Sequence, residues 1–432
     1  MRTINVNVDH VTRVEGHGSI VVNIREGKIE ECRWEVVEAP RFFEVLVRGR
    51  SYLEVARITS RICGICSVGH TLASLKATEA AMGVQVSEQT RLLRRILIQG
   101  ENLQSHILHA YFLAAPDFLG APSVFPLVET HPQVVTRALG LKKLANDLCD
   151  LFGGRTVHPI TPTVNGFTKL PEIKGIKEIR RRLAGAGADL EATVELFQGL
   201  EIPSLERETE YISLKSKEEY ALYDGVLASS DAGTTPVSNY RSWTNEYLVP
   251  HSTAKYTRHV RDSYMVGALA RFNNNSERLS PRAQKAAEAL GLRAPCHNPF
   301  MNTVAQVVEA VHAAEESLRL IDELLDRGLQ EEDRRILLKA GTGVGTVDVP
   351  RGTLFHEYTY DKNGICREAN CIIPTNQNHG NIQKDMEALL PRLLDQAREK
   401  PEEEIRLMLE MLVRAYDPCI SCSTHLLKVE FK

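Results

Sequence analysis

The spacing of hydrophobic and polar positions changes character along this chain. Near the start, VNVDHVTRV, SIVVNI and IEECRWEVV alternate with a period of two around the turn REGK, which predicts strands with at least one hairpin. From Ser87 the period lengthens. Leu92, Leu93, Ile96, Leu97, Leu103, Ile107 and Leu108 fall on one face behind a capping signal at Ser87, so SEQTRLLRRILIQGENLQSHILHAYFLA predicts a helix. VGHTLASLKATEAAMG predicts another, as do 133–153, 172–200 and 303–329, the last through Val304, Val308, Val311, Leu318, Ile321 and Leu325. The stretch 385–416 predicts one or two closing helices broken at Pro401. Loop-rich stretches separate them at 155–170, 225–300 and 341–381, and the last holds a small β unit, VPRGTLFHEYTYDKNGICREANCIIPT, alternating about DKNG. With no internal repeat or clear linker, the pattern predicts one interleaved α+β domain over 1–432, predominantly α-helical. Its parts are a β-rich start (1–60), a mainly helical stretch (61–340), the β unit (341–381), closing helices with a cysteine motif (382–425) and a tail (426–432).

Composition removes several classes. The 432 residues are 43% hydrophobic and 25% charged, ordinary for a globular protein, and the net charge of −4 gives no general attraction to nucleic acid or anionic lipid. No apolar run of the length needed to span a bilayer is present, and MRTINVNVDH has no apolar stretch resembling a signal peptide, so a cytoplasmic chain is expected. The nine cysteines, an odd number, argue against a disulfide framework and direct attention to metal binding or redox chemistry.

GTGVGT at 341–346 resembles a nucleotide-binding fingerprint in letters only. Pro350 interrupts the helix that would receive a pyrophosphate, and the run reads as a turn. The cysteines carry more. RICGICSVGH places Cys63 and Cys66 three apart, and DPCISCSTH does the same for Cys419 and Cys422. Each pair is followed by a histidine, His70 or His425. Cys66 stands just before a predicted helix, whose dipole favours thiolate. A structural zinc site of four cysteines and a redox dithiol both remain open on residue types alone, because four soft thiolates suit nickel, iron, zinc or copper(I). The pairs stand much farther apart than the roughly 15–20 residues of a zinc ribbon.

RICGICSVGH with DPCISCSTH resembles the paired signatures of the large, catalytic subunit of nickel–iron hydrogenases. DHVTRVEGHG, APRFFE (39–44), VPRG (349–352) and PTNQNHG (374–380) resemble further family segments in the family's order, so the likeness covers essentially the whole chain. It implies the family fold, with an N-terminal β region and a central helix bundle. It also implies a nickel–iron centre with carbon monoxide and cyanide on iron, held terminally by Cys63 and Cys419 and through bridging sulfurs by Cys66 and Cys422. Heterolysis of dihydrogen needs a Lewis acid for the hydride and a nearby base for the proton, and a terminal thiolate such as Cys419 can serve as that base. By motif position Glu15 relays the proton, Arg351 places a fixed positive charge over the metals, Asp417 lies beside Arg351, and His70 donates to a bridging sulfur. Glu44 and His425 match ligands of a magnesium-like ion, with a backbone carbonyl near His379 as a third. Cys32, Cys149, Cys296, Cys366 and Cys371 are scattered and read as small buried hydrophobes.

Ser105-His106 stands where periplasmic members carry an aspartate, which points to the cytosolic, multi-subunit branch. For electron transfer the resemblance implies an iron–sulfur small subunit, with further subunits linked to NAD(P), a deazaflavin or a heterodisulfide reductase. It also implies a maturation protease that removes Leu426–Lys432 after His425. The fold-related respiratory-complex subunit is disfavoured, since such relatives lose these cysteines.

Overall fold

The computed structural model describes residues 4–396 and 401–424. The N-terminal alternation forms a three-stranded antiparallel sheet of β1 (Ile4–Val8), β2 (Gly18–Arg25) and β3 (Lys28–Val36), with Ile20, Val22, Trp34 and Val36 buried on one face. Residues 9–14, expected to continue the first strand, instead form a loop with Arg13 in the left-handed region (φ 59°).

The helical expectations fall close to the observed elements. Helix α1 (Ser67–Met82) begins at Cys66 and ends on Gly83, a left-handed C-terminal stop. Ser87 caps α2 (Glu88–Leu108), accepting from the N–H of Thr90 at 3.0 Å, and the helix widens to π geometry over His109–Ala114. Helix α3 (Pro132–Gly153) follows. The single helix expected over 172–200 is two, Ile173–Gly185 and Gly187–Gln198. The loop-rich 225–300 holds short strands and the helices Ala268–Asn275 and Pro281–Ala289. Helix α4 (Met301–Arg327) packs against α2, and α2 against α3, forming the central bundle. None of the described helices is long and apolar enough to cross a membrane.

The expected small β unit is a three-stranded antiparallel sheet, β4 (Gly341–Val349), β5 (Gly352–Tyr360) and β6 (Cys366–Ile372), with Pro350-Arg351 as the two-residue turn of the first hairpin. GTGVGT is therefore the first part of β4 and not a turn. The cause is α1, which packs against β4 and β5. A Cβ on Gly345 would lie 2.0 Å from the Ala73 carbonyl oxygen, and one on Gly343 2.2 Å from the Ala81 nitrogen, so helix backbone touches strand backbone. Gly345→Ala is expected to destabilise the chain by about 1–3 kcal/mol or more, since the obstacle is backbone and not a movable side chain. Thermal unfolding of the variant against the parent checks this.

Helix α5 (Pro374–Gln396) starts well before the expected 385, and α6 (Pro401–Ala415) closes the described chain. These two helices pack on the N-terminal sheet, α5 against β3 and α6 against β1. That contact brings the first and last parts of the described chain together.

Candidate metal centre

Both Cys-x-x-Cys pairs meet in one place. Cys63, Cys66, Cys419 and Cys422 are all buried, and the sulfurs of Cys63 and Cys419 lie 3.5 Å apart. The ligand atoms of Cys63, Cys419 and Cys422 lie within 4.8 Å of one another, as do those of Cys66, His70 and Cys422. The Cys419 and Cys422 sulfurs are in contact, on Cα atoms 5.5 Å apart. Cys422 belongs to both groups, so the pairs form one cluster.

Two sets of bonds fix it. Arg41 donates to the carbonyls of Ile62 (2.7 Å) and Ser421 (2.5 Å), tying together the residues just ahead of Cys63 and Cys422. Thr375, at the start of α5, accepts from the Cys419 N–H at 3.0 Å. The helix dipole expectation needs correction. The N–H groups of Ile65 and Cys66 point at the Cys63 sulfur (3.3 and 3.1 Å), not at Cys66. Burial pushes the Cys63 thiol up, but its hydrogen bonds and the Arg351 charge overcome that and hold it below the ordinary thiol range. Cys66 moves the other way, through its bond to Cys63, burial, and the Cys63 and Glu101 charges. Glu101 on α2 accepts from the N–H groups of Val68 (2.7 Å) and Gly69 (3.0 Å), the open first turn of α1. Burial, then the Cys63 charge, pushes its carboxyl up to about 8.

Glu15 stands on the other side. Its backbone bridges the second cysteine motif in parallel, donating to the Pro418 carbonyl (3.4 Å) and accepting from the Ile420 N–H (2.8 Å). That bridge places its Oε2 3.1 Å from the Cys419 sulfur and 3.1 Å from the Ser421 N–H. The neighbouring Arg13 pairs with Asp117, which also accepts from Arg414 of α6 at 2.7 Å, so the loop carrying Glu15 is anchored to the closing helix.

Arg351, in the β4–β5 turn, donates from Nε to the Asp417 carbonyl (2.6 Å) and from Nη2 to the Asp417 carboxylate (2.7 Å). Asp417 sits at φ 49°, a region Asp tolerates, and also accepts from Gln306 at 3.1 Å. The turn itself is clamped from behind: Arg271 donates to the carbonyls of Val349 (2.7 Å) and Pro350 (3.0 Å) while Glu309 takes both ends of its guanidinium at 2.7 Å. Burial opposes the Glu309 carboxylate, yet the charge and bonds of Arg271 and a bond from His106 hold it well below the usual range.

A ring nitrogen of His70 and the sulfurs of Cys66 and Cys422 lie within 4.8 Å of one another, and His70 Nδ1 meets His356 Nε2 at 3.1 Å. Glu44 is buried, its Oε1 3.4 Å from the Cys371 N–H. His379 accepts from Trp34 Nε1 at 2.9 Å and meets Ser423 at 2.9 Å through its other nitrogen, and burial drives it down to about 3. Its ring is thus engaged at both nitrogens, and a part in cation binding would run through its backbone. His425 lies outside the described residues. Of the other cysteines, Cys149, Cys366 and Cys371 are buried and Cys32 and Cys296 half-buried.

A nickel-dependent hydrogenase family model matches residues 41–131 and 207–425, and a HoxL-like model matches 5–39. The chain belongs to the nickel-dependent hydrogenase family, as a large, catalytic subunit. The alpha chain of sulfhydrogenase 1 from Pyrococcus furiosus is 34% identical over 98% of both chains. A chain of the F420-non-reducing hydrogenase of Methanothermobacter thermautotrophicus is 32% identical, covering 98% of this chain and 95% of that one. In fold, an NAD+-reducing [NiFe]-hydrogenase in the H2-reduced state superposes with a TM-score of 0.86 at 27% identity, over 98% of this chain and 100% of the other.

The residues present fit the metal centre this family name implies. Four soft sulfurs converge in one buried place, with the Cys63 thiol held toward thiolate. Arg351 is buried, and its Nη1 has no hydrogen-bond partner among the described residues. An unsatisfied buried charged donor costs about 1–3 kcal/mol or more, so this N–H suits an anionic acceptor beside the sulfurs.

Proposed function

We propose that Cys63, Cys66, Cys419 and Cys422 hold a nickel–iron centre with carbon monoxide and cyanide on its iron, at which dihydrogen is reversibly split to protons and electrons. The observation that carries this reading is the single cluster of four buried sulfurs with the Glu15 carboxylate 3.1 Å from one of them. When bound, the centre supplies the Lewis acid for heterolysis. The chain supplies the rest. The Cys419 sulfur receives the proton and Glu15 Oε2 takes it onward, held in place by the Ser421 N–H. Arg351 keeps a fixed positive charge beside the cluster, oriented by Asp417 and by the Arg271 clamp, and its Nη1, without a partner among the described residues, would suit a cyanide nitrogen. Glu44, His425 and the backbone at His379 are assigned to a magnesium ion.

Electrons leave through an iron–sulfur small subunit, and the chain works in a cytoplasmic assembly with further subunits linked to NAD(P), a deazaflavin or a heterodisulfide reductase. A maturation protease acting after His425 completes the set of partners. The match of the family model over both cysteine motifs leaves the cysteine-free respiratory relative without support.

Elemental analysis of the purified complex tests the reading. Nickel with iron, together with hydrogen-dependent reduction of a viologen dye, is the expected result; zinc alone at the cluster without such reduction would sink it. Arg351→Lys keeps the charge but loses the planar fork, and is expected to slow dye reduction by about 10²-fold with metal content unchanged. Steady-state rates at saturating hydrogen on metal-quantified protein check this.

A further inference from the structure

Helix α1 and strand β5 are joined by a ladder of buried polar pairs. His70 meets His356 at 3.1 Å and Thr78 meets the Tyr360 hydroxyl at 2.8 Å, with Ser74 and Tyr358 at the positions between them. The match is geometric: four residues of helix rise about 6.0 Å and two of strand about 6.6 Å, so His70, Ser74 and Thr78 on one helix face keep step with alternate residues of β5. Of these rungs, only the first lies beside the four cysteines.

The ladder carries a direction. Tyr358 is fully buried beside His356, with its oxygen 2.5 Å from His356 Nδ1. If the buried phenol gives its proton to Nδ1, the His356 proton sits on Nε2, that N–H donates to His70 Nδ1, and His70 carries its own proton on the opposite nitrogen. A ring nitrogen of His70 and the sulfurs of Cys66 and Cys422 lie within 4.8 Å of one another. We propose that Tyr358 and His356 are positioning residues that fix the His70 tautomer, so that His70 turns an Nε2–H, and not a lone pair, toward the Cys66 and Cys422 sulfurs. The opposite polarity would set a lone pair against anionic sulfur. A hydrogen bond to sulfur draws electron density from whatever metal that sulfur binds. The chain Tyr358–His356–His70 therefore sets how electron-rich the cluster is, from a site that touches neither metal nor substrate.

The inference rests on the nickel–iron reading, and infrared spectra of the intact complex separate the two. With Tyr358→Phe the His356 tautomer is released, the bond to sulfur weakens, and the carbon monoxide band on iron is expected to move to lower frequency at unchanged nickel content. Tyr360→Phe, one rung further, is expected to leave the band in place. A band unmoved or raised in Tyr358→Phe, or moved as far by Tyr360→Phe, overturns the proposal. Should Tyr358→Phe fail to load metal, His356 provides the second arm. His356→Leu lowers the frequency, while His356→Gln, whose amide N–H still donates to His70, keeps that of the parent; equal shifts in both overturn it. A parent complex lacking any such band would instead sink the nickel–iron reading, and this inference with it.

Discussion

Cys419→Ser is expected to yield a folded large subunit that holds no stable nickel and reduces no viologen dye under hydrogen. The sulfur is 3.5 Å from Cys63 and 3.1 Å from Glu15, so on the proposed reading it would serve both the metal site and the proton exit. A serine hydroxyl is smaller, hard and protonated at neutral pH, and a borderline-soft metal gains little from it. The backbone contacts of residue 419, to Thr375 and in the bridge beside Glu15, do not involve the side chain, so folding survives. Metal analysis and circular dichroism on the same preparation give the answer: near-parental nickel in the serine variant would remove Cys419 from the ligand set.

Glu15→Gln separates proton transfer from metal binding. The amide oxygen can still accept from the Ser421 N–H, so the loop stays in place, but the group no longer takes a proton. Loss of a positioned proton carrier costs about 10²–10⁴-fold, and that is the fall expected in hydrogen-dependent turnover. Nickel and iron content should match the parent. Hydrogen–deuterium exchange in gas and solvent is the decisive assay, because it requires the proton to leave and no electron to do so. Exchange at the parental rate would assign the exit to another group.

The parts legible in the sequence were those whose cause is local. Strand alternation in β2 and the 3.6-residue stripe of α3 each follow from one buried face, and the helix start at Ser87 is written in its own side chain. Features caused from a distance were not legible. Gly343 and Gly345 are set by a helix more than two hundred residues earlier, so GTGVGT reads as a turn. The first turns of α5 were missed because Asn376, Gln377, Asn378 and His379 are buried polar residues. Gln377 donates to the Thr353 carbonyl at 2.6 Å and Asn378 accepts from the Val266 N–H at 2.9 Å, so polarity there signals a buried network and not a loop. At the centre, the four cysteines stood out by spacing and flanks. Arg41, Glu101, Arg271 and His356 did not, although Arg41 lies within a segment that resembles the family's. Each acts on the backbone or a ring of a distant element, a relation that no single stretch of chain displays.

The bridge between Glu15 and the residues around Cys419 has a consequence for synthesis. Cys63 and Cys419 are separated by 356 positions, so at about 5–20 residues per second a ribosome releases the first dithiol roughly 20–70 seconds before its counterpart. Through that interval Cys63 and Cys66 make a bidentate thiol pair open to any zinc or copper(I) in the surroundings. On the proposed reading, correct loading therefore depends on keeping the nascent amino-terminal half away from the wrong ion until translation has delivered the other half of the cage.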